Sequence, residues 1–149
     1  MLELYDYFRS SACYRVRIVL NYKNLKYTKK EVHLVNNGGE QHSAEYKKLN
    51  PQGLIPSLLD PSNNICLTQS LAIIEYLEES YPKPSILPTD LFLRSQARAL
   101  AYIISSDTHP LNNLRVLNYL KDNFNVSETD RHKWYHHWLM LGFDSIEQQ

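Results

Sequence analysis

The stretch Arg9-Ser10-Ser11-Ala12-Cys13-Tyr14-Arg15-Val16-Arg17-Ile18 sets the reading of everything around it. On its N-terminal side Leu2, Leu4 and Phe8 alternate with Glu3, Asp6 and tyrosines, the period of a half-buried strand. On its C-terminal side Tyr14, Val16, Ile18, Val19, Leu20 and Tyr22 recur with helical spacing, and Ser10-Ser11 offers an N-cap. Two hydroxyls and a thiol therefore stand where a first strand becomes a first helix. Free backbone N–H groups and the positive dipole end point there, so an anion is stabilised and a thiolate would have a lowered pKa. An N-cap accounts for one serine; a doublet flanked by arginines calls for more. Three residues after Cys13 stands Val16, and none of Ser10, Ser11 or Ala12 is a thiol, which argues against dithiol–disulfide chemistry. A thiolate used at this junction would arrive with a ligand.

Outward from the junction, Lys23 to Lys26 is a turn and Tyr27 to Leu34 reads as a second strand. Asn37-Gly38-Gly39 breaks it, residues 43–49 form a short helix, and Asn50-Pro51-Gln52-Gly53 is a loop. Leu54 to Leu59 is a short apolar strand interrupted by Pro56, turned by residues 60–64 into Ile65-Cys66-Leu67, where Cys66 reads as core. A strong helical pattern runs from Ser70 to about Ser80. This order, βαβ, then a helix, a hairpin and a closing helix, is that of a thioredoxin-like unit. A proline in the third strand suits an irregular position, and Ile55-Pro56 is a candidate cis bond that would aim the Ile55 backbone outward. Residues 1–80 make this α/β domain, and residues 81–90, with three prolines, are a linker. Residues 91–149 read as all helix: one helix to Asp107, a break at Thr108-His109-Pro110, a second to Asn123, and a third opened by the capping box Ser127-Glu-Thr-Asp130 and running through Trp134, Trp138, Leu141 and Ile146.

Composition narrows the functional classes. The 149 residues are 43% hydrophobic with 16 basic against 16 acidic side chains, which excludes a disordered chain and gives no net field toward nucleic acid or anionic lipid. Two cysteines are too few for a disulfide scaffold. The start lacks the basic and apolar regions of a signal peptide, and no run approaches a membrane span, so the expected compartment is the cytoplasm. His132, His136 and His137 have metal-capable spacing but no evident third partner, and read as an exposed helix face. No glycine-rich phosphate loop is present, and no basic patch is interleaved with aromatics.

The residues resemble the signature of zeta-class glutathione transferases, the maleylacetoacetate isomerases, whose pattern is Ser-Ser-Cys-x-Trp/His-Arg-Val-Arg-Ile. The likeness continues through Gly38-Gly39-Glu40-Gln41, Leu49-Asn50-Pro51-Gln52-Gly53, Ile55-Pro56-Ser57-Leu58, Gln69-Ser70-Leu71-Ala72-Ile73-Ile74-Glu75-Tyr76-Leu77-Glu78-Glu79, the run His109 to Leu117, and Trp134 to Glu147. It implies a thioredoxin-like domain followed by an all-α, glutathione-transferase-type domain that is incomplete here, ending inside its third helix. It also implies a catalytic serine at Ser10 with Ser11 beside it, stabilising the thiolate of bound glutathione. The glutathione cysteinyl backbone would pair with Ile55 before Pro56, its γ-glutamyl carboxylate would sit on Ser70 and the helix end with Gln69, and Gln41 would lie near its glycyl end. His109, Asn113, Leu114 and Arg115 would close the cleft, or else form a helix break with a capped histidine. Arg9 and Arg115 are the candidates for substrate carboxylates, while Arg15 and Arg17 make structural ion pairs or touch a partner subunit.

The implied reaction is cis–trans isomerisation of a small cis-enedione dicarboxylate, maleylacetoacetate to fumarylacetoacetate in tyrosine and phenylalanine breakdown, with glutathione as a regenerated cofactor. Maleylpyruvate isomerisation and general glutathione transfer are neighbouring readings, and a glutathione-binding remnant is the non-enzyme one. The resemblance implies a homodimer. The family cysteine is Ala12 here and Cys13 follows it; a one-residue shift turns a helical side chain by about 100°, so Cys13 is either a substitute nucleophile or a small helix residue.

Overall fold

The computed structural model describes residues 1–149, which divide into two compact units, Met1–Ile86 and Leu87–Gln149. In the first, β1 (Leu2–Asp6), α1 (Ser11–Tyr22) and β2 (Tyr27–Glu31) form a βαβ unit. Then come α2 (Ala44–Leu49), β3 (Ser57–Asp60), β4 (Ile65–Thr68) and α3 (Ser70–Ser80). The sheet order is β2-β1-β3-β4, with β1 and β2 parallel and the β1–β3 and β3–β4 pairs antiparallel. This is the thioredoxin-like arrangement that the element order predicts.

Its core lies between the sheet and α1 with α3. Leu2 and Leu4 from β1, Val16, Val19 and Leu20 from α1, Leu58 from β3, and Ile73 and Leu77 from α3 are buried together. Each such side chain contributes about 1.5–3 kcal/mol on leaving water. α1 ends where the Leu25 N–H donates to the Leu20 carbonyl at 2.9 Å, with Asn24 left-handed between them at φ 55°. Lys23, whose side chain is fully buried, closes the unit. Its Nζ donates to the Tyr81 carbonyl (2.6 Å) and the Pro84 carbonyl (2.8 Å), and pairs with Glu78 (2.6 Å). Burial opposes ionisation of Glu78, but donors from Lys23, Ser85 and Ile86 outweigh it and hold the carboxyl below its usual value. The first part of the proline-rich stretch is thus tied to this unit.

Two local expectations are corrected. β3 begins only at Ser57, so residues 54–56 form a loop outside the ladder; Pro56 has no N–H to give a strand. Cys66 is exposed, not core. It alternates with Leu67, which packs against the core, so the two point to opposite faces of the edge strand β4.

The second unit contains α4 (Leu91–Tyr102), a π-helical turn (Ile103–Thr108), α5 (His109–Leu111), α6 (Leu114–Phe124) and α7 (Glu128–Glu147). The break expected before Pro110 is absent: His109 has helical angles, φ −64° and ψ −42°. The wider π turn shifts the hydrogen bonds, and the His109 N–H reaches the Ile104 carbonyl, so a proline without a donor is accommodated in a continuing helix. Ser127 caps α7 as expected: its Oγ accepts the Asp130 N–H at 3.1 Å, while its own proton goes to the Asp130 carboxylate at 2.7 Å. α7 meets the preceding segment through Trp134 Nε1, which donates to the Leu111 carbonyl at 2.8 Å, and through Gly142, packed on Thr108.

Candidate functional site

The strand register gathers the sequence-predicted residues of the first unit. Tyr5 lies opposite Ser57, and Ser57 opposite Thr68. The chain leaving β1 toward Arg9, Ser10 and Ser11, the chain entering β3 through Ile55 and Pro56, and the chain leaving β4 into Gln69 and Ser70 therefore meet at one end of the sheet. β2 runs parallel to β1, so it leaves at the same end toward the loop that carries Gln41. α1 and α3 both begin here, and neither has an acidic residue in its first turn. Two positive helix ends at one sheet edge favour negative charge there.

Ser10 is the N-cap of α1, and its Oγ accepts the Cys13 N–H at 3.2 Å. The cap uses a lone pair of the hydroxyl and not its proton, and the same hydroxyl also lies within hydrogen-bonding reach of the Cys13 thiol. Ser11 is the first residue of the helix and is exposed. The loop that delivers them is fixed by Arg17, which forms an ion pair with the buried Asp6 and also donates to the carbonyls of Tyr7 (3.4 Å) and Phe8 (3.3 Å). Arg17 thus has the structural role expected of it. Arg15 differs: one guanidinium nitrogen is buried without a hydrogen-bond partner, and burial holds its pKa below the ordinary value. Cys13 is fully buried among core residues, and burial pushes its thiol up to about 11. A protonated, inaccessible thiol is a packing group at this position.

At the second helix start, Gln69 holds φ 68°, a left-handed conformation unusual for a side-chain-bearing residue. Such conformations cluster at functional sites. Its Nε2 donates to Gln52 Oε1 at 2.8 Å, and Ser70 follows it, buried, as the first residue of α3. Gln41 is buried on a tight turn after Gly39, where φ is 100° and an added Cβ would lie 2.6 Å from the Gln41 amide. Gln41 Oε1 is buried without a hydrogen-bond partner. Arg9 is exposed in the β1–α1 loop. The Ile55-Pro56 peptide is cis.

His109, Asn113, Leu114 and Arg115 belong to the second unit. Asn113 caps α6, accepting the Arg115 N–H at 3.1 Å, and its amide nitrogen lies 3.4 Å from His109 Nε2. Leu114 and Arg115 are exposed. Gln52 is a site-edge residue that sequence reasoning placed only in a loop; a side-chain pair across 17 positions leaves no local signal. His132, His136 and His137 are exposed, and no group of three or more His, Cys, Asp or Glu side chains is assembled that could hold a metal ion.

Comparison with known proteins bears on this geometry. A family model described as glutathione S-transferase, N-terminal domain, matches residues 4–85. A probable maleylacetoacetate isomerase of Vibrio cholerae is 51% identical over 99% of this chain and 68% of its own length. A holo structure of maleyl pyruvate isomerase, a bacterial glutathione transferase of the zeta class, superposes with TM-score 0.90 at 43% identity, covering 96% of this chain and 66% of that one. The maleylacetoacetate isomerase of Methylobacterium extorquens AM1, with bound malonate and glutathione, superposes with TM-score 0.92 at 36% identity, covering 98% of this chain and 67% of that one. The chain thus spans about two thirds of the length of the relatives it matches.

Proposed function

The chain belongs to the zeta-class branch of the glutathione transferases, and from that membership we propose that it binds glutathione and isomerises a small cis-enedione dicarboxylate of the maleylacetoacetate type to its trans form. The observation that carries this reading is Ser10, whose hydroxyl stands as the N-cap of α1 at the junction where β1 passes into the helix. The residues fit the cofactor. A buried Gln41 oxygen lacks a partner, two helix N-termini without acidic neighbours share one sheet end, and the loop before Ser57 presents main chain rather than ladder.

Bound glutathione supplies a thiolate nucleophile that adds reversibly to the substrate's conjugated double bond. The Ser10 hydroxyl donates to that sulfur and, with the N-terminus of α1, favours its anionic form; Ser11 lies beside it. The Ile55 main chain, next to Pro56, pairs with the peptide backbone of the ligand. Ser70, Gln69 and the N-terminus of α3 hold its γ-glutamyl carboxylate, and Gln41 its glycyl side. Arg9 is the candidate of the first unit, and Arg115 that of the second, for a substrate carboxylate; His109, Asn113 and Leu114 are the further ligand-binding candidates of the second unit. The burial of Cys13 supports no nucleophilic role for it.

The reading places the enzyme in tyrosine and phenylalanine breakdown and in the cytoplasm. Both cysteines are free, and no helix is long and apolar enough to cross a membrane. It includes a homodimer, for which Leu91 and Phe92, exposed on α4, supply apolar surface. The structural likeness to a maleyl pyruvate isomerase supports a second, shorter dicarboxylate as substrate. The test is ultraviolet loss of the cis substrate with glutathione in catalytic amount, alongside calorimetric titration. Turnover sustained by substoichiometric glutathione is expected. A stoichiometric requirement points to a conjugating transferase, and binding without turnover to a glutathione-binding remnant.

A further inference from the structure

The loop that precedes β3 is held by one carbonyl. The Leu54 oxygen accepts the Tyr46 hydroxyl at 2.7 Å and the Asn50 Nδ2 at 2.7 Å. Tyr46, on α2, is 4% exposed, and Asn50, the C-cap of that helix, 2%. A carbonyl cannot donate, so the single hydroxyl proton of Tyr46 points to Leu54. The fully buried Ser57 Oγ, 2.8 Å from the same phenolic oxygen, must then be the donor to it. The chain Ser57 to Tyr46 to Leu54 is aligned, and hydrogen bonds in series strengthen one another in a buried setting. Asn50 grips the loop a second time: its Oδ1 accepts the Gln52 N–H at 3.1 Å, and its carbonyl accepts the Gly53 N–H at 2.9 Å.

Two donors on one loop carbonyl exceed what satisfying a buried acceptor requires. Their effect is to fix a peptide plane. The Leu54–Ile55 peptide is trans, since the cis bonds are Ile55-Pro56 and Lys83-Pro84. In a trans peptide the N–H points opposite to the C=O. With the Leu54 carbonyl held toward Tyr46 and Asn50 of α2, the Ile55 N–H is directed away from α2.

We propose that Tyr46 and Asn50 are positioning residues for glutathione: by gripping the Leu54 carbonyl they set the direction in which Ile55 offers its N–H to the ligand backbone. This rests on the glutathione-binding reading above. Burial pushes the Tyr46 phenol up to about 12, so the grip stays protonated throughout the working pH range.

The test compares Tyr46→Phe with Tyr76→Phe in the full chain, by calorimetry with glutathione and by steady-state kinetics. Both remove one phenolic hydroxyl that makes side-chain hydrogen bonds, but Tyr76 is half-buried and bonds Asp60, at the other end of β3. Tyr46→Phe is expected to raise Kd and KM for glutathione about fivefold while kcat at saturating glutathione stays within about twofold. Tyr76→Phe is expected to lower the melting temperature comparably and leave Kd in place. If Tyr46→Phe does not fold, Asn50→Ala, which removes the other donor, carries the same expectation. Equal glutathione affinity in wild type and the loop variant overturns this inference alone. Failure of the wild type to bind glutathione overturns the functional reading and this inference with it.

Discussion

Ser10 caps α1, and the proposed function gives it a second task at the glutathione sulfur that substitutions can separate from the first. Ser10→Ala removes the acceptor for the Cys13 N–H, a cap contribution of about 1 kcal/mol, which lowers the melting temperature by a few degrees. It also removes the proton offered to the ligand sulfur. A hydrogen bond to a charged group contributes about 1.5–3 kcal/mol, and one pKa unit is about 1.36 kcal/mol, so the bound thiol should titrate about one to two units higher. At pH below the wild-type thiol pKa the thiolate then falls by about ten- to a hundredfold, and turnover with it. Ser10→Asp separates the effects. A carboxylate caps α1 as well as serine does and suits the helix N-terminus, but it has no proton to give and repels a sulfur anion. Stability should order Ala below wild type and Asp, whereas thiol pKa should rise from wild type to Ala to Asp. Thermal unfolding reads the first order, and thiolate ultraviolet absorbance against pH in the glutathione complex reads the second. A thiol in the Ser10→Asp complex that titrates as low as in wild type would show that the hydroxyl is not the donor, and would refute the argument.

Two further outcomes follow from packing and charge outside the site. Gly142→Ala should destabilise by about 1–3 kcal/mol, because its Cβ would lie 2.1 Å from Thr108 Oγ1; adding Thr108→Ala should restore most of the loss in a denaturant double-mutant cycle. Asp60 accepts from the Tyr76 hydroxyl (2.8 Å), Asn63 and Ser62, and these bonds, led by Tyr76, hold its carboxyl below the usual range. Its stabilisation is therefore present above the unfolded carboxylate pKa and lost as pH falls through the lower folded one. Tyr76→Phe should be less stable by about 1.5–3 kcal/mol at neutral pH and converge with wild type in strong acid, as urea unfolding at the two pH values would record.

What was legible in the residues was whatever is encoded locally. A serine between an alternating strand and a 3.6-period helix is a cap, and Ser10, Ser43, Asp90 and Ser127 each accept a backbone N–H at the start of a helix. The hairpin, the Ile55-Pro56 irregularity and the start of α3 at Ser70 were equally local. Three features were not. Cys66 looked like core because it lies in an apolar triplet, yet with Leu67 turned inward a strand sends its neighbour outward. Pro110 looked like a helix break because the compensating π turn lies upstream of it. The grip of Tyr46 and Asn50 on Leu54, and the Gln52–Gln69 pair, arise only when α2 and α3 fold over the same loop.

The same distinction explains how a chain with 16 basic and 16 acidic residues can hold an anionic peptide. No global field draws the ligand in, so the attraction must be built from short-range parts. The register of β1, β3 and β4 supplies them, because it brings the starts of α1 and α3 to one end of the sheet, each with its positive dipole end and no acidic side chain in its first turn. In the proposed function Ser10 donates to the ligand sulfur and the start of α3, which follows the left-handed Gln69, takes a ligand carboxylate. Dipoles and hydroxyls of this kind are held by the fold and need no rearrangement when the ligand charge arrives, which is the condition for stabilising a thiolate rather than merely attracting an anion. Cys13, one turn inside and fully buried, shows the converse: the same helix end cannot activate a thiol that the core has desolvated. That burial is why the proposed function assigns the reactive sulfur at this junction to a bound ligand and not to Cys13.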